Sequence, residues 1–160
     1  MTFKNILVPT DGSEYTKAAI NNAVEMAKNY GAKITALYVI DQTVFVNMPL
    51  DSAVMNTYTL LKKEGESAVQ YVLNLCKENG VECDIKIVEG SPVKCIVEAS
   101  KDFDIIVMGT LGRTGFSKLM MGNGRTHADP ELQHPYAGSL RRHEMSEFMH
   151  NNQASKCHNC

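Results

Sequence analysis

Apolar residues in this chain fall into short continuous runs, separated by longer stretches in which they recur every three or four positions. Phe3 to Val8 is a β-rich run centred on Ile6-Leu7-Val8 and closed by Pro9, and Ile34 to Ile40 is a second such run. Runs without alternation suit strands covered on both faces of a parallel sheet. From Glu14 to Tyr30, Ile20, Ala23, Val24 and Ala27 mark one helical face, and Gly31 stops that helix. Residues 42–51 show no period and read as a loop. A long helix is predicted from about Ser52 to Asn79, with Leu61, Ala68, Val72 and Leu75 turned inward and Gly80 as its stop. Gly65 within it predicts an irregular or mobile first part. Val81, Cys83, Ile85 and Ile87 alternate, as in a strand with one wetter face. Ser91-Pro92 caps a helix whose face is Val93, Ile96, Val97 and Ser100, and Asp104 to Met108 is the fourth strand.

Strands alternating with helices predict an α/β fold with a doubly wound, open parallel sheet. Right-handed crossovers leave few arrangements of such a sheet. Its ligands bind beyond the carboxyl ends of the strands, where the strand order reverses. The loop after the first strand (Pro9 to Gly12) and the one after the fourth would meet there if those strands are neighbours.

Candidate chemistry gathers in those two loops. The fourth strand runs through Met108 into Gly109, Gly112 and Gly115, with Gly122 after a basic-apolar stretch. Glycine at a strand's carboxyl end lets backbone amides approach a ligand, and a helix beginning there adds unpaired N–H groups. Thr110, Arg113 and Thr114 would add donors to a polyphosphate. The competing reading is a glycine-rich turn that binds nothing. Asp11 is likewise open between a ligand for ribose or an adenine amino group and a turn or helix-capping carboxylate. Ser13 is the N-cap candidate of the first helix. Several motifs are absent: Gly-Lys-Ser/Thr after the glycines, Gly-x-Gly-x-x-Gly in the first turn, and the Gly-x-Ser-x-Gly elbow. His143-Glu144 has Glu147 where a metal helix needs its second histidine.

The bulk composition narrows the classes. A length of 160 residues fits one domain, or one domain plus a tail, and 44% apolar with 21% charged residues is ordinary for a globular protein. A net charge of −2 offers no electrostatic case for nucleic acid or an anionic membrane. No apolar run approaches the roughly 20 residues that span a bilayer, and residues 1–5 lack a signal-peptide pattern. Cys76, Cys83 and Cys95 fall at apolar positions, as thiols packed in a reducing cytoplasm would.

The stretch Ile6-Leu7-Val8-Pro9-Thr10-Asp11-Gly12-Ser13, paired with Asp104 to Gly115, resembles the universal stress protein family over about residues 1–122. The resemblance implies an adenine-nucleotide α-hydrolase-like fold, ATP as ligand with a divalent cation such as magnesium beside it, hydrolysis that is slow at most, and a homodimer. By resemblance Pro9, Thr10, Asp11 and the backbone of Val39 would hold adenine and ribose. Met108, Gly109, Gly112, Arg113, Thr114, Gly122 and Asn123 would line ribose and phosphates. Gly109, Gly112 and Gly122 fit the family's Gly-x2-Gly-x9-Gly spacing, but Asn123 replaces the Ser or Thr that follows it. No residue reads as a dedicated general base; Asp41 and Glu14 are only nominal candidates.

After Gly122 the chain changes character. Residues 123–160 are rich in His, Asn, Pro and Arg, with no apolar run longer than two residues. Such sequence predicts a flexible tail and a sheet without the family's last strand, which weakens the expected dimer. Codons for Pro130 to Pro135 shifted by one base can spell Arg-Asn-Cys-Ser-Ile, which resembles the family segment, so a reading-frame change is one origin of the switch. Cys157, Cys160, His158 and His150 are four zinc-capable side chains, but a single Cys-x-x-Cys reads better as solvated. The favoured function is a cytoplasmic ATP-binding regulator with a lid over residues 42–66. The alternatives are a nucleotide-free dimeric scaffold of the same fold and a phosphate-transferring or hydrolysing enzyme.

Overall fold

A computed structural model describes residues 3–109 and 137–141 of the chain. Strands β1 (Asn5–Pro9), β2 (Lys33–Asp41), β3 (Cys83–Gly90), β4 (Ile105–Gly109) and β5 (Ala137–Arg141) form one sheet in the order β3-β2-β1-β4-β5. The first four are parallel, with Ile6 beside Ile34 on one side and Ile105 on the other. Helices α1 (Glu14–Tyr30), α2 (Ser52–Glu78) and α3 (Pro92–Ser100) make the crossovers.

Alternation along the central strands divides the core. Ile6, Val8, Ile34, Ala36, Tyr38, Ile40 and Val107 pack under α1 and α2, while Leu7, Leu37, Val39, Ile106 and Met108 face Ile96 of α3. Both faces of β1, β2 and β4 are therefore dry, which is why their sequences run apolar without alternation. β3 stands at the edge, so Ile85 and Ile87 remain exposed.

The predicted periodicities hold closely for the helices. One departure concerns Gly65. Instead of loosening α2, it lies buried within a continuous helix, where an added Cβ would stand 2.5 Å from Cδ1 of Tyr38. The absent side chain is what lets helix and ring approach. Caps also differ from expectation. Ser13 and Ser91 occupy N-cap positions without a side-chain capping bond, whereas Asp51 caps α2 by accepting from the N–H groups of Ala53 and Val54, both at 3.0 Å.

The sequence reading ended the sheet at β4, and the structure extends it. β5 pairs antiparallel with β4, Ala137 opposite Gly109 and Arg141 opposite Ile105. Ala-Gly-Ser-Leu-Arg carries no β-branched or alternating signal. Pairing with the backbone edge of β4 requires none, because ladder hydrogen bonds are made by any non-proline residue. The remainder of residues 123–160 lies outside the described residues.

At the amino end of the sheet, Asp104 joins β1 to β4. Its Oδ2 accepts from the N–H groups of Lys4 and Asn5, each at 2.9 Å, and its own N–H donates to the Asn5 carbonyl at 3.0 Å.

Candidate nucleotide site

The strand order reverses at β1. α1 leads to β2 on one side, while α3 carries the chain back to β4 on the other. The crevice beyond the carboxyl ends of β1 and β4 is thus the topological switch point, the usual ligand position in an open α/β sheet.

At that end the Thr10 N–H donates to the Leu37 carbonyl at 2.9 Å, extending the β1 ladder by one residue. The chain then turns sharply. Gly12 adopts a φ of +74°, a region L side chains rarely enter, and a Cβ there would also touch Ala68 at 3.4 Å. Asp11 Oδ1 accepts the Ser13 N–H at 2.9 Å, and Thr10 Oγ1 accepts the Gly12 N–H at 3.2 Å and pairs with Thr16 Oγ1 at the same distance. Thr10 and Asp11 are only 6% and 8% exposed. The turn role considered for Asp11 is therefore real, and it coexists with a place on a cavity wall.

That cavity, about 180 Å³, lies over the carboxyl ends of β1 and β2. Pro9, Thr10, Asp11 and Val39 line it, joined by Leu37, Tyr38 and Asp41 of β2. Leu61 and Glu64 of α2 close one side, Pro92 and Ile96 of α3 another, and Val44 reaches in from the connecting segment. A second cavity of about 690 Å³, between α1 and α2, shares Thr10, Asp11 and Glu64 with the first and takes in Ser13, Lys17 and Lys63. Ser13 Oγ is buried without a hydrogen-bond partner beside the Asp11 turn.

Four of the predicted site residues, Pro9, Thr10, Asp11 and Val39, converge on one cavity. Met108 and Gly109 end the neighbouring strand, both buried, but do not line it. Gly112, Arg113, Thr114, Gly122 and Asn123 lie outside the described residues. Of the nominal bases, Asp41 lines the first cavity and Glu14 the second. Asp41 is held as a cap, its Oδ1 accepting the Thr43 N–H at 2.9 Å and the Thr43 hydroxyl at 2.5 Å. Sequence reasoning missed Leu37, Glu64, Pro92 and Ile96. The signal for Leu37 was available, since it lies two residues before Val39 and so shares its face.

The segment above the cavity is more ordered than a loop. Gln42–Phe45 forms a 3-10 turn, and α2 begins at Ser52. Glu89, near the end of β3, gathers both parts: it accepts from Gln42 Nε2 at 2.8 Å and from the Tyr58 hydroxyl. The bond to Glu89 is the main cause that raises the Tyr58 pKa above its ordinary value, with partial burial adding to it. Among the described residues, no group of three or more His, Cys, Asp or Glu side chains is placed to hold a metal, and no helix is long and apolar enough to cross a membrane.

A parallel sheet reversing at β1, with its crevice lined from two strand ends, is the adenine-nucleotide α-hydrolase-like arrangement. The profile of the universal stress protein family matches residues 2–124, and the chain belongs to that family. A universal stress protein of Methanocaldococcus jannaschii, MJ0531, is 37% identical over 123 residues, covering 76% of this chain and 72% of that protein. Among solved structures, UspA of Lactobacillus plantarum superposes with a TM-score of 0.58 at 28% identity, covering 72% of this chain and 82% of its own. A universal stress protein in complex with cAMP shares the fold, with a TM-score of 0.54 at 18% identity over 77% of this chain and 85% of that one.

Proposed function

We propose that the chain binds an adenine nucleotide, ATP foremost, beyond the end of β1 and acts as a cytoplasmic regulatory protein whose state follows that binding. The observation that carries this reading is the convergence of Pro9, Thr10, Asp11 and Val39 on one cavity at the switch point. About 180 Å³ lies below the roughly 300–1,000 Å³ of sites that enclose whole ligands, so it suits a base with the rest of the ligand outside. Adenine would lie between Val39 and the apolar wall of Leu37 and Ile96, with ribose at Asp11. Phosphates would pass toward Gly109 and onward to Gly112, Arg113, Thr114, Gly122 and Asn123, where magnesium would join them. A family structure described in complex with cAMP supports a nucleotide as the ligand class.

The site acts by binding, with slow hydrolysis at most. Of the three carboxylates on the cavity wall, Asp11, Asp41 and Glu64, the first two are already engaged in local turns. Residues 42–66 serve as the lid, ordered further when a ligand fills the space beneath Val44 and Leu61. The protein is proposed to work as a homodimer.

Titration calorimetry of the folded chain with ATP, ADP, AMP and cAMP tests the reading. Heat of association with an adenine nucleotide is expected, and adenylate is expected in the mass spectrum of protein purified without added ligand. A folded sample that gives neither favours the nucleotide-free scaffold, the reading that Asn123 in place of Ser or Thr supports.

A further inference from the structure

We propose that Cys76 and Cys83 form a peroxide-responsive dithiol, which closes into an intramolecular disulfide joining the end of α2 to the start of β3. The proposal is independent of what occupies the nucleotide cavity.

The backbone brings the two residues together. Beyond Cys76 the chain doubles back at once, and the N–H groups of Asn79 and Val81 both donate to the Cys76 carbonyl, at 3.1 and 2.9 Å. Cys83 then enters β3 opposite Ile34, on the face that packs under α2, in the same cluster as Cys76. The two thiols act directly on one another, and Cys83 Sγ also donates to the Asp84 carbonyl at 3.4 Å. A disulfide needs Cα atoms within roughly 4.4–6.8 Å, and the reversal that returns Cys83 to the Cys76 cluster is the feature that would bring the two within reach.

The two sulfurs are not equivalent. Cys76 is fully buried, and the bond to Cys83 pushes its pKa up, with burial acting in the same direction. Cys83 is half-buried and lines a surface groove of about 550 Å³ with Leu73, Ile85, Lys86 and Phe103. Its thiol is held below the ordinary value, first by Cys76 and then by the backbone of Ala36 and the charge of Lys33, against burial and the charge of Asp84. Cys83 is thus both the more ionised sulfur and the one a small oxidant can reach. Cys95 has neither property in combination with a partner thiol: burial raises its pKa, and its thiol donates to the Glu89 carbonyl at 3.8 Å.

The chemistry runs in two displacements. The Cys83 thiolate attacks one oxygen of hydrogen peroxide; an S–O bond forms, the O–O bond breaks, and hydroxide leaves to take up a proton as water. The Cys76 sulfur then attacks the Cys83 sulfenic acid; an S–S bond forms, the S–O bond breaks, and the departing hydroxide takes the Cys76 proton. Two thiols and one peroxide give a disulfide and two waters. Two electrons pass from sulfur to peroxide.

The full-length chain, dilute and briefly exposed to hydrogen peroxide, is quenched with N-ethylmaleimide under denaturing conditions and digested with trypsin. Cleavage after Lys63, Lys77 and Lys86 separates the two cysteines. The expected result is that peptides 64–77 and 78–86 appear joined, two hydrogens lighter than their sum, and separate again with dithiothreitol. C76S is expected to accumulate a dimedone adduct on Cys83, and C95S to leave the linkage intact. Cys83 ending as sulfinic acid while Cys76 remains alkylatable overturns the proposal. So does a Cys83 that pairs instead with Cys95, Cys157, Cys160 or a second molecule, or one that resists peroxide in the folded protein. Because the mapping is done on the unaltered chain, failure of a variant to fold leaves the test standing.

Discussion

At the end of β1, the Asp11 carboxylate holds the Ser13 N–H at 2.9 Å and also stands on the cavity wall, so it serves the turn and the proposed ligand at once. Removal of charge and removal of the acceptor should therefore separate. Asp11→Asn retains an acceptor for Ser13 and is expected to leave the melting temperature nearly unchanged. Its nucleotide affinity should fall by about 1 kcal/mol, roughly fivefold in Kd, the difference between bonds to charged and neutral acceptors. Asp11→Ala should lose both binding and stability, which calorimetry and thermal unfolding read separately. Gly65 offers a contest of opposite sign. In an open helix, Ala would gain about 0.5–1 kcal/mol over Gly. Here the new Cβ would press into the buried Tyr38 ring at 2.5 Å, and overpacking of that kind costs about 1–3 kcal/mol. Gly65→Ala is expected to lower denaturation midpoints. Because Tyr38 also lines the cavity, nucleotide affinity should fall with them.

Along the elements, α2 is the part that ties cavity, lid and core together. Its first turns carry Tyr58 to Glu89, its middle carries Leu61 and Glu64 to the cavity wall, and its last turns bury Val72 and Cys76. Glu89→Ala removes the acceptor shared by Gln42 and Tyr58, and should release residues 42–58 without disturbing the sheet. Limited proteolysis is expected to cut this stretch severalfold faster in the variant, with nucleotide restoring part of the protection. Equal cleavage in both proteins would show that Glu89 does not restrain the segment. These elements also indicate what the sequence could and could not reveal. The bounds of α1 and α2 were legible because burial on one side imposes a 3.6-residue period, and those of β1, β2 and β4 because burial on both sides removes alternation. Gly65 was misleading because propensity is local, while its reason, the Tyr38 ring, lies on another element. β5 was silent because an edge ladder needs backbone more than side chains, and the walls supplied by Glu64, Pro92 and Ile96 exist only once α2 and α3 are docked.

For the whole molecule, the proposed ligand would sit where the sheet is joined least redundantly. β1 and β4 share fewer paired residues than β1 and β2, and the Asp104 bonds to Lys4 and Asn5 fasten them at the amino end. Asp104→Ala strips an acceptor from two N–H groups and should cost about 1–3 kcal/mol. A nucleotide spanning the carboxyl ends of both strands would fasten the opposite end of the same seam. Since it binds only the folded chain, ligand at a hundredfold excess over Kd adds about 2.7 kcal/mol. For a chain of this size that corresponds to a rise of roughly 5–10 °C in Tm. The mass-action increment depends on ligand excess alone, so ATP should raise Asp104→Ala and the parent by similar free energies once each is titrated to the same saturation. A variant stabilised far less than the parent at equal ATP concentration would mean a weaker Kd, and so that the amino-end clamp shapes the site itself. Asp11→Asn, at a fixed ATP concentration, should show a smaller rise that recovers as ATP is increased. Differential scanning calorimetry across an ATP series on the three proteins distinguishes these cases, and a melting temperature indifferent to ATP in all of them removes the seam from the account.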